Sequence, residues 1–199
     1  MEALSRTFKL LFGALILLNI SLLGFITYML INDNPDLKEV ERIDIVEKNG
    51  TNRIVISNEE HIPLPIIKGK SYERRVSPAG LIFYDQYGDE RGGIAISETE
   101  NENMNAIVFD YQNADAIGIF AKDDKQNKNF EAGLGINDKD LSGKAGYNTN
   151  RINLGTRNGN AALVIRDTNE IPRLVLKVDS IGTPSIEIFD ENGEVEWKR

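Results

Sequence analysis

From Leu10 to Ile31 the chain carries no charged residue, and a helix rising about 1.5 Å per residue over that stretch crosses a hydrocarbon core of roughly 30 Å. In lipid such a segment must satisfy its own backbone hydrogen bonds, so it is expected as one transmembrane helix. A cleaved signal peptide would have an apolar core of about 7 to 15 residues and small residues at its exit. This run is longer, and it exits through Thr27-Tyr28-Met29-Leu30-Ile31-Asn32-Asp33 with no A-x-A pattern. The chain has no cysteine, which also excludes a lipid-modified cysteine after cleavage. The expectation is a retained signal anchor.

Basic residues are held on the cytoplasmic side of a span. Arg6 and Lys9 precede the run, whereas the first basic residue after it is Lys38. The amino terminus is therefore expected inside and the bulk outside. The expected organisation is a cytoplasmic tip (1–9), an anchor (10–31), a polar stalk allowing about two helical turns (32–42) and an extracytoplasmic domain (43–199). The chain has 23 basic and 31 acidic residues, and setting aside Glu2, Arg6 and Lys9 leaves 21 against 30, a balance of −9. Nucleic acid is not an expected partner, because a polyanion binder needs a basic footprint. The short basic cluster of Lys68, Lys70, Arg74 and Arg75 reads as a solvated loop. The absence of cysteine removes disulfides and thiolate chemistry.

From Ile43 onward the apolar period is two, and short β-rich runs alternate with turn residues. Asn158-Gly159 marks a tight hairpin between Arg151 to Thr156 and Ala161 to Asp167, since both central positions need positive φ. Further strands are expected over Arg173 to Asp179, Ser185 to Asp190 and Val195 to Trp197, with turns at Ile181-Gly182-Thr183-Pro184 and Asn192-Gly193. Asn49-Gly50 joins Ile43 to Glu47 with Arg53 to Ser57, and Gly88-Asp89 joins Leu81 to Asp85 with Gly92 to Ser97. Ala106 to Tyr111 pairs with Ala116 to Ala121. Loops are expected over His61 to Val76, Glu98 to Asn105 and Lys122 to Asn150. The fold class is all-β, an antiparallel hairpin or meander sheet domain, sandwich or barrel-like, behind one N-terminal transmembrane helix.

Four carboxylates, Asp85, Asp89, Glu90 and Asp110, are candidate catalytic residues, because glycoside hydrolysis needs only two acids at a set separation across a sugar cleft. Hairpin ends are rich in acids for structural reasons, so an accidental pair is the simpler expectation. Asp138, Asp140 and Ser142 fit the start of a calcium loop with Gly143 at the turn, but the position of the closing Glu is Thr149. His61, the sole histidine, removes multi-histidine zinc sites. Gly92-Gly93 and Gly133-Leu134-Gly135 lack the Lys-Ser/Thr ending of a phosphate loop and read as strand features. Phe83, Tyr84, Tyr87, Phe109, Tyr111 and Phe120 are expected as core or cross-strand residues, with a sugar-stacking surface of Tyr84, Tyr87 and Tyr111 as the alternative. No cofactor is expected.

The segments ERIDIVEKNGTNRIVISN (Glu41 to Asn58), SPAGLIFYDQYGDERGGIAIS (Ser77 to Ser97) and RLVLKVDSIGTPSIEIFDENGEV (Arg173 to Val195) resemble an uncharacterised bacterial family. That resemblance implies an N-terminal membrane span followed by a β-rich external domain, and no catalytic residue. Relatives often carry a helix-prone insertion before the last strands; here only a compact loop around Leu141 to Asn150 stands there. Architecture points to a membrane-anchored extracytoplasmic binding or structural module of the bacterial envelope. Its expected partners are the bilayer, through Leu10 to Ile31, and an envelope protein or glycan. An envelope carbohydrate hydrolase using paired carboxylates is the alternative, and a calcium-dependent adhesive module a third.

Overall fold

The computed structural model describes residues 2–32, 39–74 and 76–199. The chain divides into two compact units, Met1–Val40 and Glu41–Arg199. In the first, helix α1 (Glu2–Asn32) contains a segment, Arg6–Leu30, long and apolar enough to span a membrane. Three of its polar residues return hydrogen bonds to the helix itself. Asn19 Nδ2 donates to Leu15 O, Ser21 Oγ to Leu18 O and Thr27 Oγ1 to Leu23 O, each at 2.8 Å. Each of the three thus directs a side-chain donor onto a carbonyl of its own helix. Most of the expected stalk, residues 33–38, lies outside the described residues, as does Arg75.

The second unit is built from strands β1 (Arg42–Val46), β2 (Asn52–Ser57), β3 (Ile66–Ile67), β4 (Lys70–Ser71), β5 (Ala79–Tyr84), β6 (Glu90–Glu98), β7 (Glu102–Asp110), β8 (Asp115–Asp124), β9 (Asn129–Lys139), β10 (Asn148–Arg157), β11 (Asn160–Arg166), β12 (Pro172–Val178), β13 (Pro184–Phe189) and β14 (Val195–Lys198). Twelve of them form one antiparallel sheet in the order β1-β2-β5-β6-β7-β8-β9-β10-β11-β12-β13-β14, while β3 and β4 form a separate ribbon. The all-β antiparallel expectation holds in its meander form. The outer strands β1 and β14 do not pair with each other, so the sheet is open.

All three expected loops contain strand, and the first of them, 61–76, holds the short pair β3 and β4. Between β6 and β7 only residues 99–101 turn, because Thr99 Oγ1 accepts from Glu102 N at 2.9 Å and closes a tight hairpin. The stretch 122–150 contains the end of β8, all of β9 and the start of β10. Gly133 and Gly135 weaken the β signal of β9, yet Phe130, Ala132, Leu134 and Ile136 alternate along it. The two glycine pairs do sit inside strands, β6 and β9. At Asn158-Gly159 both residues have positive φ, 49° and 81°. Four other turns use a longer loop capped by an aspartate. Asp85, Asp167, Asp179 and Asp190 each accept from the backbone N–H two and four residues on.

The register aligns the apolar residues of one face into two rows that run across the sheet. The first is Ile43, Ile56, Leu81, Ile94, Ile107, Ile119, Leu134, Leu154, Leu163, Leu176 and Ile186, each directly opposite the next. The second is Ile45, Ile54, Phe83, then Phe109, Ile117, Ile136, Ile152, Ile165, Leu174, Ile188 and Trp197, interrupted only by Gly92. Directly opposed residues share a face, so both rows lie on the same side. Across the gap at Gly92 the rings of Phe83 and Phe109 stack, with centroids 6.3 Å apart. None of the side chains in either row is buried; Ile119, near the middle, is 58% exposed.

The opposite face carries small residues in its middle, with Gly80, Ala95, Ala106, Gly133, Gly155 and Ala162 in one row interrupted by Phe120. Its enclosed core is local. Val55, Ile82 and Tyr84 are buried on this side, and Ile62 from the excursion between β2 and β5 packs against them. That excursion, residues 58–78, contains the ribbon, so it covers one end of the small-residue face.

Candidate functional site

Three β-bulges re-aim polar side chains at the end of the sheet beneath the excursion. In β6 four residues, Gly93 to Glu90, oppose three in β5, Ile82 to Tyr84. The extra residue turns Glu90 onto the face that holds Tyr84. In β8 a second bulge opposes Asp115 to Asp110 of β7, and a third in β10 sets Asn150 opposite Asn137 of β9. Bulges of this kind strengthen local twist and redirect side chains.

Glu90, Asp110 and Asp115 consequently line one cleft of about 220 Å³, together with Pro65 and Ile67 of the excursion and Tyr111, Asn113 and Asn148. Arg74 closes its acidic side. The guanidinium donates from Nη2 to Glu90 Oε2 at 2.5 Å and from Nη1 to Oε1 at 3.3 Å, while Nε holds Pro63 O at 2.8 Å. Both side chains of this pair are nearly buried, 13% and 14% exposed. Burial pushes the Glu90 carboxyl up against the opposing pull of Arg74.

Among the described residues no cation pairs with Asp110, and the Arg91 charge opposes its upward shift only weakly. Asp110 Oδ1 is buried without a hydrogen-bond partner, and burial, with the charges of Asp115 and Glu90, pushes its carboxyl up to about 7. When protonated it can donate to Asp115 across the strand pair. Asn113, 1% exposed, anchors the far wall: Nδ2 donates to Tyr147 O at 2.8 Å and Lys144 O at 3.3 Å, and its backbone carbonyl accepts from Gly146 N at 2.7 Å.

The folded state thus keeps a proton on Asp110 that the unfolded chain gives up near its ordinary range. Stability should fall as pH rises from about 4 to about 7 and level off above that. Asp110→Asn removes this loss. We expect the variant to be about 2 kcal/mol more stable than the wild type at pH 8 and nearly equal at pH 4, read from thermal melts of the full chain in detergent.

The four sequence candidates separate into different roles. Asp85 is a turn cap: desolvation would raise it, but the N–H groups of Tyr87 and Asp89 and the Arg91 guanidinium, 2.5 Å away, outweigh burial and hold its carboxyl below the usual range. Asp89 is buried and accepts from Gly69 N at 2.7 Å, tying the ribbon to the sheet. Only Glu90 and Asp110 share the cleft. Asn113, Asp115 and Asn148 complete it, with Arg74 held on Glu90; sequence reasoning assigned Arg74 to a solvated loop and did not single out the other three. Arg74 is a correction, because its partner lies sixteen residues away across the excursion.

The calcium candidates do not converge. Asp138 pairs with Arg151, Asp140 accepts from the Ser142 hydroxyl and from Ser142 N, and Lys68 Nζ donates to Gly143 O at 2.9 Å. Among the described residues no group of three or more His, Cys, Asp or Glu side chains is arranged to hold a metal ion. His61 is exposed on a turn beside Asn58 and 3.6 Å from Glu41. The tyrosines do not share a surface: Tyr84 is buried, Tyr87 is 78% exposed on its turn, and Tyr111 donates to Asn137 O at 3.2 Å. No protein-family model matches the chain, and neither a curated protein nor a solved structure matches it.

Proposed function

We propose that this chain is a membrane-anchored interaction module of the bacterial envelope, with its sheet unit outside the membrane and its amino terminus inside. The observation that carries this reading is the pair of apolar rows left unburied across the full width of the sheet. Contiguous apolar surface on that scale marks a docking surface. The N-terminal helix supports the anchoring part, and Arg6 and Lys9 before the run support the orientation. Anchoring also holds the module at high effective concentration near other envelope components. Protease added to intact cells should digest the sheet unit and spare the amino-terminal tip. Full protection of that unit, or its release without the helix, would overturn the assignment.

A carbohydrate hydrolase is the second reading, favoured by Glu90 and Asp110 in one cleft with Asp110 able to hold a proton near neutrality. Two features rank it second. The cleft is smaller than the roughly 300 to 1,000 Å³ of ordinary ligand sites, and Arg74 engages both oxygens of Glu90. Wall-glycan hydrolysis that disappears in Asp110→Asn, the variant that gains stability, would move this reading to first place.

A further inference from the structure

We propose that the occupant of the aliphatic face is a second copy of the same chain, packed face to face; this rests on the reading of the sheet as an interaction module. The unburied side chains of the two rows offer on the order of 1,000 Å² of apolar surface per chain, against about 300 to 600 Å² for the largest patch of a typical monomer and about 800 Å² per partner in a stable complex. The unit's own excursion cannot meet the need, because Ile62 seats it on the opposite face.

The pattern of the face suits self-recognition. Its rows repeat Ile and Leu at the strand spacing, so two copies related by a two-fold axis present matching ridges and hollows, and aligned sheets pack about 10 Å apart on such side chains. The sheet edges are poorer docking sites. Strand β1 carries the Arg42–Asp44 ion pair, β14 carries Lys198 paired with Glu187, and both edge pairings are bulged. A lipid surface is disfavoured by the balance of −9 beyond the amino-terminal run, which anionic headgroups repel. Copies tethered in one membrane also sit at one height and meet often.

Because the chain lacks cysteine, single introduced thiols report cleanly. Ile119→Cys lies at the centre of the apolar face, and Lys177→Cys lies exposed on the other. Full-length variants in permeabilised membranes, where orientation does not matter, would be treated with a short bismaleimide and, separately, a water-soluble maleimide. Ile119→Cys should give a band at twice the chain mass and react about tenfold more slowly than Lys177→Cys, as burial in a stable interface requires. Lys177→Cys should stay monomeric. Slow labelling of Ile119→Cys without the doubled band would overturn self-association while leaving the interaction-module reading intact, since another molecule would then cover the face. Labelling as fast as at Lys177→Cys would overturn both. Ile107→Cys, the neighbour of Ile119 in the same row, provides the same readout if the first variant does not accumulate.

Discussion

Gly92→Ala is expected to destabilise the sheet unit by more than about 3 kcal/mol, lowering its melting temperature by roughly 6 to 12 °C. Gly92 has φ +115°, where an L side chain is strained, and an added Cβ would lie 2.0 Å from Val108 O and 2.8 Å from Phe109 Cα. Both are backbone atoms of the paired strand, so no rotamer change relieves the clash. The damage should extend beyond the residue itself. Gly92 lies within the bulge that turns Glu90 toward Arg74, and its missing side chain leaves room for the Phe83–Phe109 stack. Losing the bulge would aim Glu90 at the aliphatic face, since a shift of one residue exchanges the two sides. Gly50→Ala is the control, with φ +86° but nothing within 4 Å, and should cost only about 1 kcal/mol. Thermal melts of the two variants side by side separate steric exclusion from backbone preference.

Arg74→Met should cost about 3 to 5 kcal/mol at pH 8, because it strands the Glu90 carboxylate in a nearly buried site next to Asp110 and removes the donor to Pro63 O. The penalty is expected to shrink as pH falls. Burial already pushes Glu90 upward in the wild type, and without Arg74 nothing opposes it, so the variant takes up a proton at higher pH and sheds the unpaired charge. Denaturant midpoints at pH 8 and pH 5 give the comparison. Arg74→Met combined with Glu90→Gln should regain most of the loss at pH 8. A deficit in Arg74→Met that is equal at both pH values would mean that packing, not charge, sets the role of Arg74.

Turn chemistry and period-two alternation made most of the fold legible. Asn158-Gly159 specified a two-residue hairpin because two adjacent positive φ values suit few residue pairs, and Leu174, Leu176 and Val178 announced one face of β12. Strand β9 was hidden by Gly133 and Gly135, and the value of Gly133 lies in close packing against β10 rather than in propensity: a Cβ there would meet Leu154 O at 2.8 Å. The cleft was only half legible. Asp85, Asp89, Glu90 and Asp110 were indistinguishable as acids near turns, and their separation into turn cap, ribbon tether and cleft residues depends on bulges that a local pattern does not reveal. Arg74 and Asn113 act over sixteen residues or more, beyond the reach of any periodicity.

The order of strands bears on how the chain is made. After β1, every strand of the large sheet except β5 docks on its immediate predecessor, and β5 joins β2 once the short ribbon has intervened. Each newly synthesised hairpin therefore finds its template edge already laid down, and the entropy of closing long loops is avoided. Such a molecule can zip up in the direction of translation, one strand at a time, with its earliest strands folded before the last have left the ribosome.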